Sequence, residues 1–276
     1  MSELLDFMKP LARDAGAMLM TFFGKVEYTY KGEVDLVTAA DKAAEAYIVE
    51  RIKARYPDHG VMGEEGARAN EGSDHLWYID PLDGTTNFAH GYPVFCVSIA
   101  LEHKGKRIAG VIYDPTRDEL FSAEAGQGAW LNDKPIRVSK TLTLAESLVA
   151  TGFPSNKRHK NPNIHFYHQI TLRTHGIRRA GSAALDLAYV ACGRYDGYWE
   201  FNLNPWDTAA GVLLVQEAGG TVTGFWADPF DIISKEVLAS NTLLHSALLA
   251  EMHNIFEGKE LEELPSASDY ASKRKY

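Results

Sequence analysis

Two aspartates three positions apart, Asp80 and Asp83, follow an apolar run and precede Gly84. If the run is a strand that ends at Asp80, both carboxylates lie on the following turn and can converge on one point. Hard divalent cations bind such oxygen ligands. Gly84 lets the main chain approach a ligand closely, and the amides of a short helix starting near Thr85 would attract an anion. The segment indicates a site for phosphoryl transfer.

This pattern also has a plain structural explanation, because aspartates form turns and cap helices. Alone, a DxxDG segment matches by chance more often than it marks a site. Two further acidic segments supply the context. Glu64 and Glu65 lie between two glycines, and Asp207 follows Pro205 in the expected first turn of an apolar helix. Each segment also has a purely structural explanation: a solvated turn for Glu64 and Glu65, and an interaction with the helix dipole for Asp207. Only the combination of the three segments indicates a function.

Composition narrows the class of protein. The chain has 276 residues, 45% hydrophobic and 24% charged, as expected for an enzyme of one large domain or two packed subdomains. A net charge of −9 argues against non-specific nucleic-acid binding. Only two cysteines, Cys96 and Cys192, argue against a disulfide framework. No apolar run reaches membrane-spanning length and no signal-peptide layout opens the chain, so we expect a cytoplasmic protein with no membrane partner.

Hydrophobic spacing predicts the first elements. Apolar residues recur at helical spacing from Leu4 to Phe22, which predicts an amphipathic helix. Thr38, with Asp41 three positions on, is typical of a capping box that begins a second helix, ending before Pro57. A turn is expected around residues 63–66. Short β-prone runs follow, at 77–80, 94–101, 107–113, 119–123 and 129–131.

Beyond residue 148 the predicted helices and strands alternate. We expect helices over 162–174, 182–192, 206–218 and 245–256, and strands at Ile177 and over 195–201, 221–223 and 237–240. This order favours stacked layers of helices and sheets, an α/β fold. We expect one compact unit over 1–276, with a soft subdomain boundary near residue 145. The charged tail over 257–276 should be mobile at its end.

Several segments in combination resemble the inositol monophosphatase family. These are MGEE at 62–65, DPLDGTTNF at 80–88, and WDTAAG at 206–211 followed by EAGG at 217–220. DLVT at 35–38 with Asp41, and GAWLN at 128–132, fit the same order. The resemblance covers most of the chain, roughly from Leu4 to Phe256. It is specific for the lithium-sensitive, Mg²⁺-dependent phosphatase superfamily and discriminates less sharply among its members.

The resemblance implies an alternating α-β-α-β-α sandwich, usually a homodimer, with two to three Mg²⁺ ions per active site. Glu64, Asp80 and the main-chain carbonyl of Leu82 would hold the first ion. Asp80, Asp83 and Asp207 would hold the second, and Glu64 would also help to bind a third, weaker ion. Metals of this kind reverse the local charge, activate a water and stabilise the leaving oxygen.

Catalytic and phosphate-binding roles are implied as well. Gly84 and Thr85 would contact the phosphate through main-chain amides. Thr85 and Asp41 would orient the attacking water, and Glu64 would contribute to catalysis beside the metal. These roles come from the resemblance.

The substrate-selecting residues follow from the same comparison. Glu200 corresponds to a glutamate that accepts hydrogen bonds from inositol hydroxyls, and Ser182 and Ala183 correspond to residues that lie against the ring. The structural alternatives are that Glu200 ends a strand and that Ser182 caps a helix. We expect residues 31–35 to form a compact loop that lacks the serine-rich insertion of some animal members. In the family this loop closes over the metals, so its length bears on the affinity for the third ion and on the strength of lithium inhibition.

The sequence therefore predicts hydrolysis of a small phosphate ester, with inositol monophosphate the first choice. Histidinol-phosphate phosphatase, fructose-1,6-bisphosphatase and nucleotide 3′-phosphatase are the enzymatic alternatives. A regulatory or binding protein on a phosphatase scaffold is the second class. Such a scaffold is expected to lose metal ligands, yet Glu64, Asp80, Asp83 and Asp207 are present.

Overall fold

The computed structural model describes residues 3–25, 28–30, 36–153 and 161–264, with 266 and 268. Its helices are α1 (Glu3–Phe22), α2 (Ala39–Arg55), α3 (Thr85–Ala89), α4 (Asn163–Thr171), α5 (Ala183–Ala191), α6 (Pro205–Glu217) and α7 (His245–Glu257). The strands in the first half are β1 (Tyr28–Tyr30), β2 (Leu36–Thr38), β3 (Gly60–Gly63), β4 (Arg68–Ala69), β5 (His75–Asp83), β6 (Cys96–His103), β7 (Lys106–Asp114), β8 (Glu119–Glu124), β9 (Gly128–Leu131) and β10 (Lys134–Ile136). Those in the second half are β11 (Leu148–Thr151), β12 (Gly176–Arg178), β13 (Gly197–Phe201), β14 (Thr221–Thr223) and β15 (Glu236–Ser240).

The strands form two large sheets and one small hairpin. An eight-stranded sheet has the order β10-β9-β8-β7-β6-β5-β3-β4, and a five-stranded sheet has the order β12-β11-β13-β15-β14. In the larger sheet the β3–β5 pair is parallel and the other pairs are antiparallel. In the smaller sheet β11 is parallel to both β12 and β13. β1 and β2 pair with each other.

Helices cover both faces of both sheets. One core lies between α1, α2 and the outer face of the larger sheet. A second core surrounds α5 and α6, which lie between the two sheets. A third holds α4 and α7 against the outer face of the smaller sheet. The layer order is therefore α-β-α-β-α, and the predicted fold is confirmed.

The sequence of β5 reflects this burial on both faces. Trp77 and Ile79 enter the core beneath α1 and α2, while Tyr78 enters the core around α5 and α6. Because neither face meets water, the strand is a continuous apolar run rather than an alternating one. The acidic groups lie on the last residues of the strand. They are therefore attached to a rigid, buried element.

Most predicted elements are present with shifted ends. The predicted helix over 162–174 ends at Thr171, and the strand predicted from residue 195 begins at Gly197. Strands β1 to β4, β10 and β11 were not predicted; β3, for example, has two glycines among its four residues and therefore little β-propensity. The boundary predicted near residue 145 falls between the last strand of the larger sheet and the first of the smaller one. The prediction of one structural unit stays a prediction.

Some predictions concern residues outside the described ranges. These include the loop over 31–35, the side chain of Thr38 and most of the far end of the tail. The first part of the tail is held to α4, since the Gln169 side chain donates to the Glu262 carbonyl at 2.8 Å. Among the helices that the structure describes, none combines the length and apolar character that a membrane span requires.

Candidate active site

A bulge in β5 brings Asp80 and Asp83 to the same face of the sheet. Residues three apart on a regular strand point to opposite faces. Here Asp80 pairs with Ser98 of β6 and Asp83 pairs with Cys96. Ser98 and Cys96 are two positions apart and share a face, so one extra residue in β5 aligns the two aspartates. The Leu82 amide donates to Oδ1 of Asp80 at 3.0 Å, which supports the bulge.

The prediction that Asp80 and Asp83 lie on a turn was therefore wrong. Both belong to β5, and the bulge at the end of this strand, rather than a turn, lets the two carboxylates converge. Glu64 comes beside Asp80 through the parallel pairing of β3 with β5, in which Gly63 is the partner of Ile79. The Glu64 amide continues that pairing by donating to the Ile79 carbonyl at 3.0 Å.

Asp207 reaches the same place from the first turn of α6. Its Oδ2 accepts a hydrogen bond from the Asn204 amide at 2.7 Å. Pro205 occupies the first helical position, where its missing N–H costs nothing. A carboxylate in the first turn also interacts favourably with the helix dipole. Asp207 thus has the local structural role expected of an acid in the first turn of a helix. The same position also holds its side chain near the other acids.

These acidic side chains are close enough to oppose one another's ionisation. Burial raises the pKa of Asp80 well above its usual value, and Glu64 and Asp83 raise it further. Burial, followed by Glu64, raises the pKa of Asp207 well above its usual value, while the bond from the Asn204 amide lowers it. Several buried carboxylates need a positive counter-charge to be ionised together.

The donor set fits a hard cation, although the side chains are not arranged around one. Among the side chains that the structure describes, no group of three acidic, imidazole or thiol side chains is placed to hold an ion as it stands. Asp80, Asp83 and Asp207 each direct one oxygen to a protein donor. A carboxylate has a second oxygen, so a change of rotamer at these three residues would offer the all-oxygen ligands that Mg²⁺ prefers.

Asp83 is oriented by the start of α5. Its Oδ2 accepts from the Ser182 hydroxyl at 2.6 Å and from the Ala184 amide at 2.7 Å. Burial raises the pKa of Asp83, and the bonds from Ser182 and from the α5 amides oppose that rise. Ser182 is also the N-cap of α5, where its hydroxyl accepts from the Leu185 amide at 3.4 Å. The substrate contacts predicted for Ser182 and Ala183 stay predictions.

Thr85 and Asp41 meet across the site. The Thr85 hydroxyl lies 3.4 Å from Oδ1 of Asp41 and 3.1 Å from the main-chain carbonyl of Leu82. Asp41 is fully buried in the first turn of α2. A carboxylate only accepts, so the hydroxyl can donate to Asp41 while its own lone pairs accept from a water. The hydroxyl has one proton, so when it donates to Asp41 it does not donate to the carbonyl of Leu82, and that carbonyl, predicted to bind a metal, keeps both lone pairs for that role.

Gly84 allows the chain to turn sharply from β5 into α3. Its φ of 99° lies in the left-handed region, and a Cβ there would lie 2.9 Å from the Val94 carbonyl oxygen. The first helical bond of α3 runs from the Phe88 amide to the Gly84 carbonyl at 3.0 Å. The earlier amides, including that of Thr85, therefore lack acceptors within the helix and point out of its start.

Glu200 lies in a second buried acidic region. Its Oε2 accepts from the Tyr198 hydroxyl at 2.5 Å, and burial raises its pKa to about 7. Gly152, directly after β11, leaves the space that the Glu200 carboxylate fills, because a Cβ there would overlap it. Asp186 of α5 is fully buried, and within the described residues neither of its oxygens has a hydrogen-bond partner. Burial and then Glu200 raise the pKa of Asp186 well above its usual value.

Sequence reasoning missed the residues that hold these segments in place. Glu45 of α2 accepts from the amides of Glu65 and Ala67 at 2.8 and 2.9 Å. The Asn87 side chain donates to the carbonyls of Val94 and Ala180 at 2.7 and 2.9 Å, joining α3 to the segment before α5. For Glu45 the sequence offered one signal: it lies four residues after Asp41 and therefore on the same face of the helix.

Comparison with known proteins identifies relatives over most of the chain. The profile described as the inositol monophosphatase family matches residues 1–257. An Inositol-1-monophosphatase from Synechocystis sp. is 48% identical over 238 residues, covering 85% of this chain and 83% of that protein. A Nus factor SuhB from Pseudomonas aeruginosa is 45% identical over 258 residues, covering 90% and 95%. The solved extragenic suppressor protein suhB from Bartonella henselae is 43% identical, with a TM-score of 0.87 over 91% of this chain and 98% of that one.

The layered fold and these matches define a phosphoric monoester hydrolase. The chain belongs to the inositol monophosphatase family. The family predicted from the motifs is therefore confirmed, and so is the class of enzyme.

The contact between Thr85 and Asp41 yields a testable prediction. Thr85→Ala and Asp41→Asn should each lower kcat by about 10²–10⁴-fold, the usual contribution of positioned proton transfer. The double variant should lose scarcely more than either single variant, because groups that act as a unit are not additive. Steady-state kinetics at saturating metal measures this.

Asp6→Asn is the matched control, because Asp6 is an exposed acid in the first turn of α1. It should leave kcat unchanged. A normal kcat for Asp41→Asn with a lowered melting temperature would remove Asp41 from the mechanism and assign it to the stability of α2.

Proposed function

We propose that this chain hydrolyses the phosphate monoester of a small polyol, with inositol monophosphate as substrate, using a metal-activated water. The observation that carries this proposal is that Glu64, Asp80, Asp83 and Asp207 lie near enough to interact electrostatically, beside the start of α3. Two further findings support it. The family profile spans nearly the whole chain, and a relative named Inositol-1-monophosphatase is 48% identical.

The proposed cofactor is Mg²⁺, with two to three ions per active site. Glu64, Asp80 and the Leu82 carbonyl would hold one ion, and Asp80, Asp83 and Asp207 another, with Glu64 assisting a third. When bound, the ions supply an activated water and charge neutralisation at the phosphate and the leaving oxygen. Burial, and then repulsion from neighbouring acids, raises the pKa values of Asp80 and Asp207. A bound cation would offset both effects, which supports a cation at this place.

The chain's own groups perform the positioning. The Thr85 hydroxyl accepts a hydrogen bond from the attacking water and donates one to Oδ1 of Asp41. These two hydrogen bonds orient the water so that a lone pair of its oxygen points toward phosphorus. The amides of Gly84 and Thr85 bind phosphate oxygens at the start of α3. Hydrolysis then transfers the phosphoryl group to water and releases the polyol as an alcohol.

Substrate selection is proposed to lie with Glu200, Ser182 and Ala183. Glu200 presents a buried carboxylate whose partner is Tyr198, and carboxylates accept from ring hydroxyls. Asp186 adds a second acid beside it. Buried acceptors of this kind favour a hydroxyl-rich substrate, because an analogue without hydroxyls would leave them unpaired.

Further properties are proposed from the family resemblance. We propose a homodimer, a cytoplasmic location and lithium sensitivity. A partner-binding role is the second candidate function, since the 45% identical relative is named Nus factor SuhB. Retention of the carboxylates, Thr85 and Asp41 favours hydrolysis, because a scaffold without activity has no need of them.

The substrate and metal are tested together by phosphate release. The dialysed protein should be inactive with chelator, and added Mg²⁺ should restore turnover. Among inositol monophosphate, histidinol phosphate, fructose 1,6-bisphosphate and a nucleoside 3′-phosphate, the inositol ester should have the highest kcat/KM. Full turnover in chelator would refute the metal, and a higher kcat/KM for another ester would reassign the substrate.

A second prediction concerns Glu200. Glu200→Gln should reduce kcat/KM for inositol monophosphate by an amount equivalent to about 1–3 kcal/mol, the cost of a mispaired polar group. Nitrophenyl phosphate, which has no ring hydroxyls, should lose much less. Glu236→Gln on β15 is a control, because Glu236 is a half-buried strand glutamate whose pKa is raised by burial, as that of Glu200 is. Equal losses on both esters would assign Glu200 to structure rather than specificity.

A further inference from the structure

The turn that carries Glu64 is held from one side by α2. The Glu45 carboxylate accepts the amides of Glu65 and Ala67, at 2.8 and 2.9 Å. Gly63 is required beside it, because a Cβ at that position would overlap the Glu45 carboxylate. This contact fixes the turn relative to α2, but α2 does not carry Asp207.

Arg68 holds the same turn from the side of α6. Its guanidinium donates to the carbonyl of Gly63 and, at 2.8 Å, to that of Ala67. The guanidinium carbon also lies 5.4 Å from the centre of the Trp206 ring. A planar guanidinium can stack on an aromatic face while its edge donates to carbonyls, and a lysine ammonium cannot do both.

Trp206 links this contact to the acidic site. It immediately precedes Asp207 in the first turn of α6 and packs against the core around α5 and α6. Its indole nitrogen is buried, and in the described part of the chain it has no hydrogen-bond acceptor. The ring is therefore oriented by packing and by the guanidinium stacked on it, rather than by a hydrogen bond.

We propose that Arg68 is a positioning residue that ties the Glu64 turn to the helix start bearing Asp207, and so strengthens metal binding by these two carboxylates. This inference rests on the metal site of the proposed function. Without a cation the two acids repel each other, so a restraint between their segments lowers the cost of bringing them together. Arg68 joins the two segments without itself being a ligand.

The test is calorimetric titration of Mg²⁺ into the full chain. Arg68→Met and Arg68→Lys should each bind Mg²⁺ about tenfold more weakly, since methionine loses both the cation–π stacking and the carbonyl contacts and lysine cannot make the two together. Activity of both variants should be recovered by raising Mg²⁺, because the reacting groups are intact. Arg51→Met is the matched control, since Arg51 is exposed and stacks 5.2 Å from the Tyr47 ring.

The outcomes separate the inference from the proposed function. No Mg²⁺ binding by the unaltered protein would refute the metal site itself. Unaltered affinity in Arg68→Met would overturn the positioning role alone, and wild-type affinity in Arg68→Lys would replace it with a simple charge effect. If Arg68→Met fails to fold, Trp206→Leu removes the stacking partner and should weaken binding equally. In that variant, unchanged affinity would overturn the inference.

Discussion

The structure depends on holding several like-charged carboxylates in one buried place. Such groups repel, and burial adds a desolvation cost, as the raised pKa values of Asp80 and Asp207 reflect. The main chain offsets this by direct bonds. The Leu82 amide fixes Asp80, the Ala184 amide fixes Asp83, and the Asn204 amide fixes Asp207. Donors to an ionised acid favour its charged form, so each bond prepares a carboxylate to receive a cation.

The layered fold supplies these donors by directing helix starts to the end of β5. Asp41 lies in the first turn of α2, Asp83 accepts from the start of α5, and Asp207 lies in the first turn of α6. Each helix start carries partial positive charge, which favours an acid there. The middle layer has α5 and α6 between the two sheets, so contributions from distant parts of the chain meet at the bulged end of β5.

Sequence reasoning found the acids but not their geometry. The motifs predicted the family and the fold, and both are confirmed. They also named Glu64, Asp80, Asp83 and Asp207 as metal ligands, because carboxylate residues can be read from the sequence, and that role stays a prediction. The bulge between Asp80 and Asp83 was read as a turn, since spacing alone does not reveal a register shift. The roles of Glu45 and Arg68 were missed because each depends on contacts between segments that only the tertiary structure brings together.

We infer that the converging acids destabilise the metal-free protein and that a cation stabilises them. Thermal unfolding of Asp80→Asn, in chelator and in Mg²⁺, measures this effect. Asparagine keeps the acceptor for the Leu82 amide and removes one charge. In chelator the variant should melt at a higher temperature than the unaltered protein, and it should lose the Mg²⁺-dependent rise in melting temperature that binding to the folded state confers. A variant that melts lower in chelator and keeps the full Mg²⁺-dependent rise would contradict this inference.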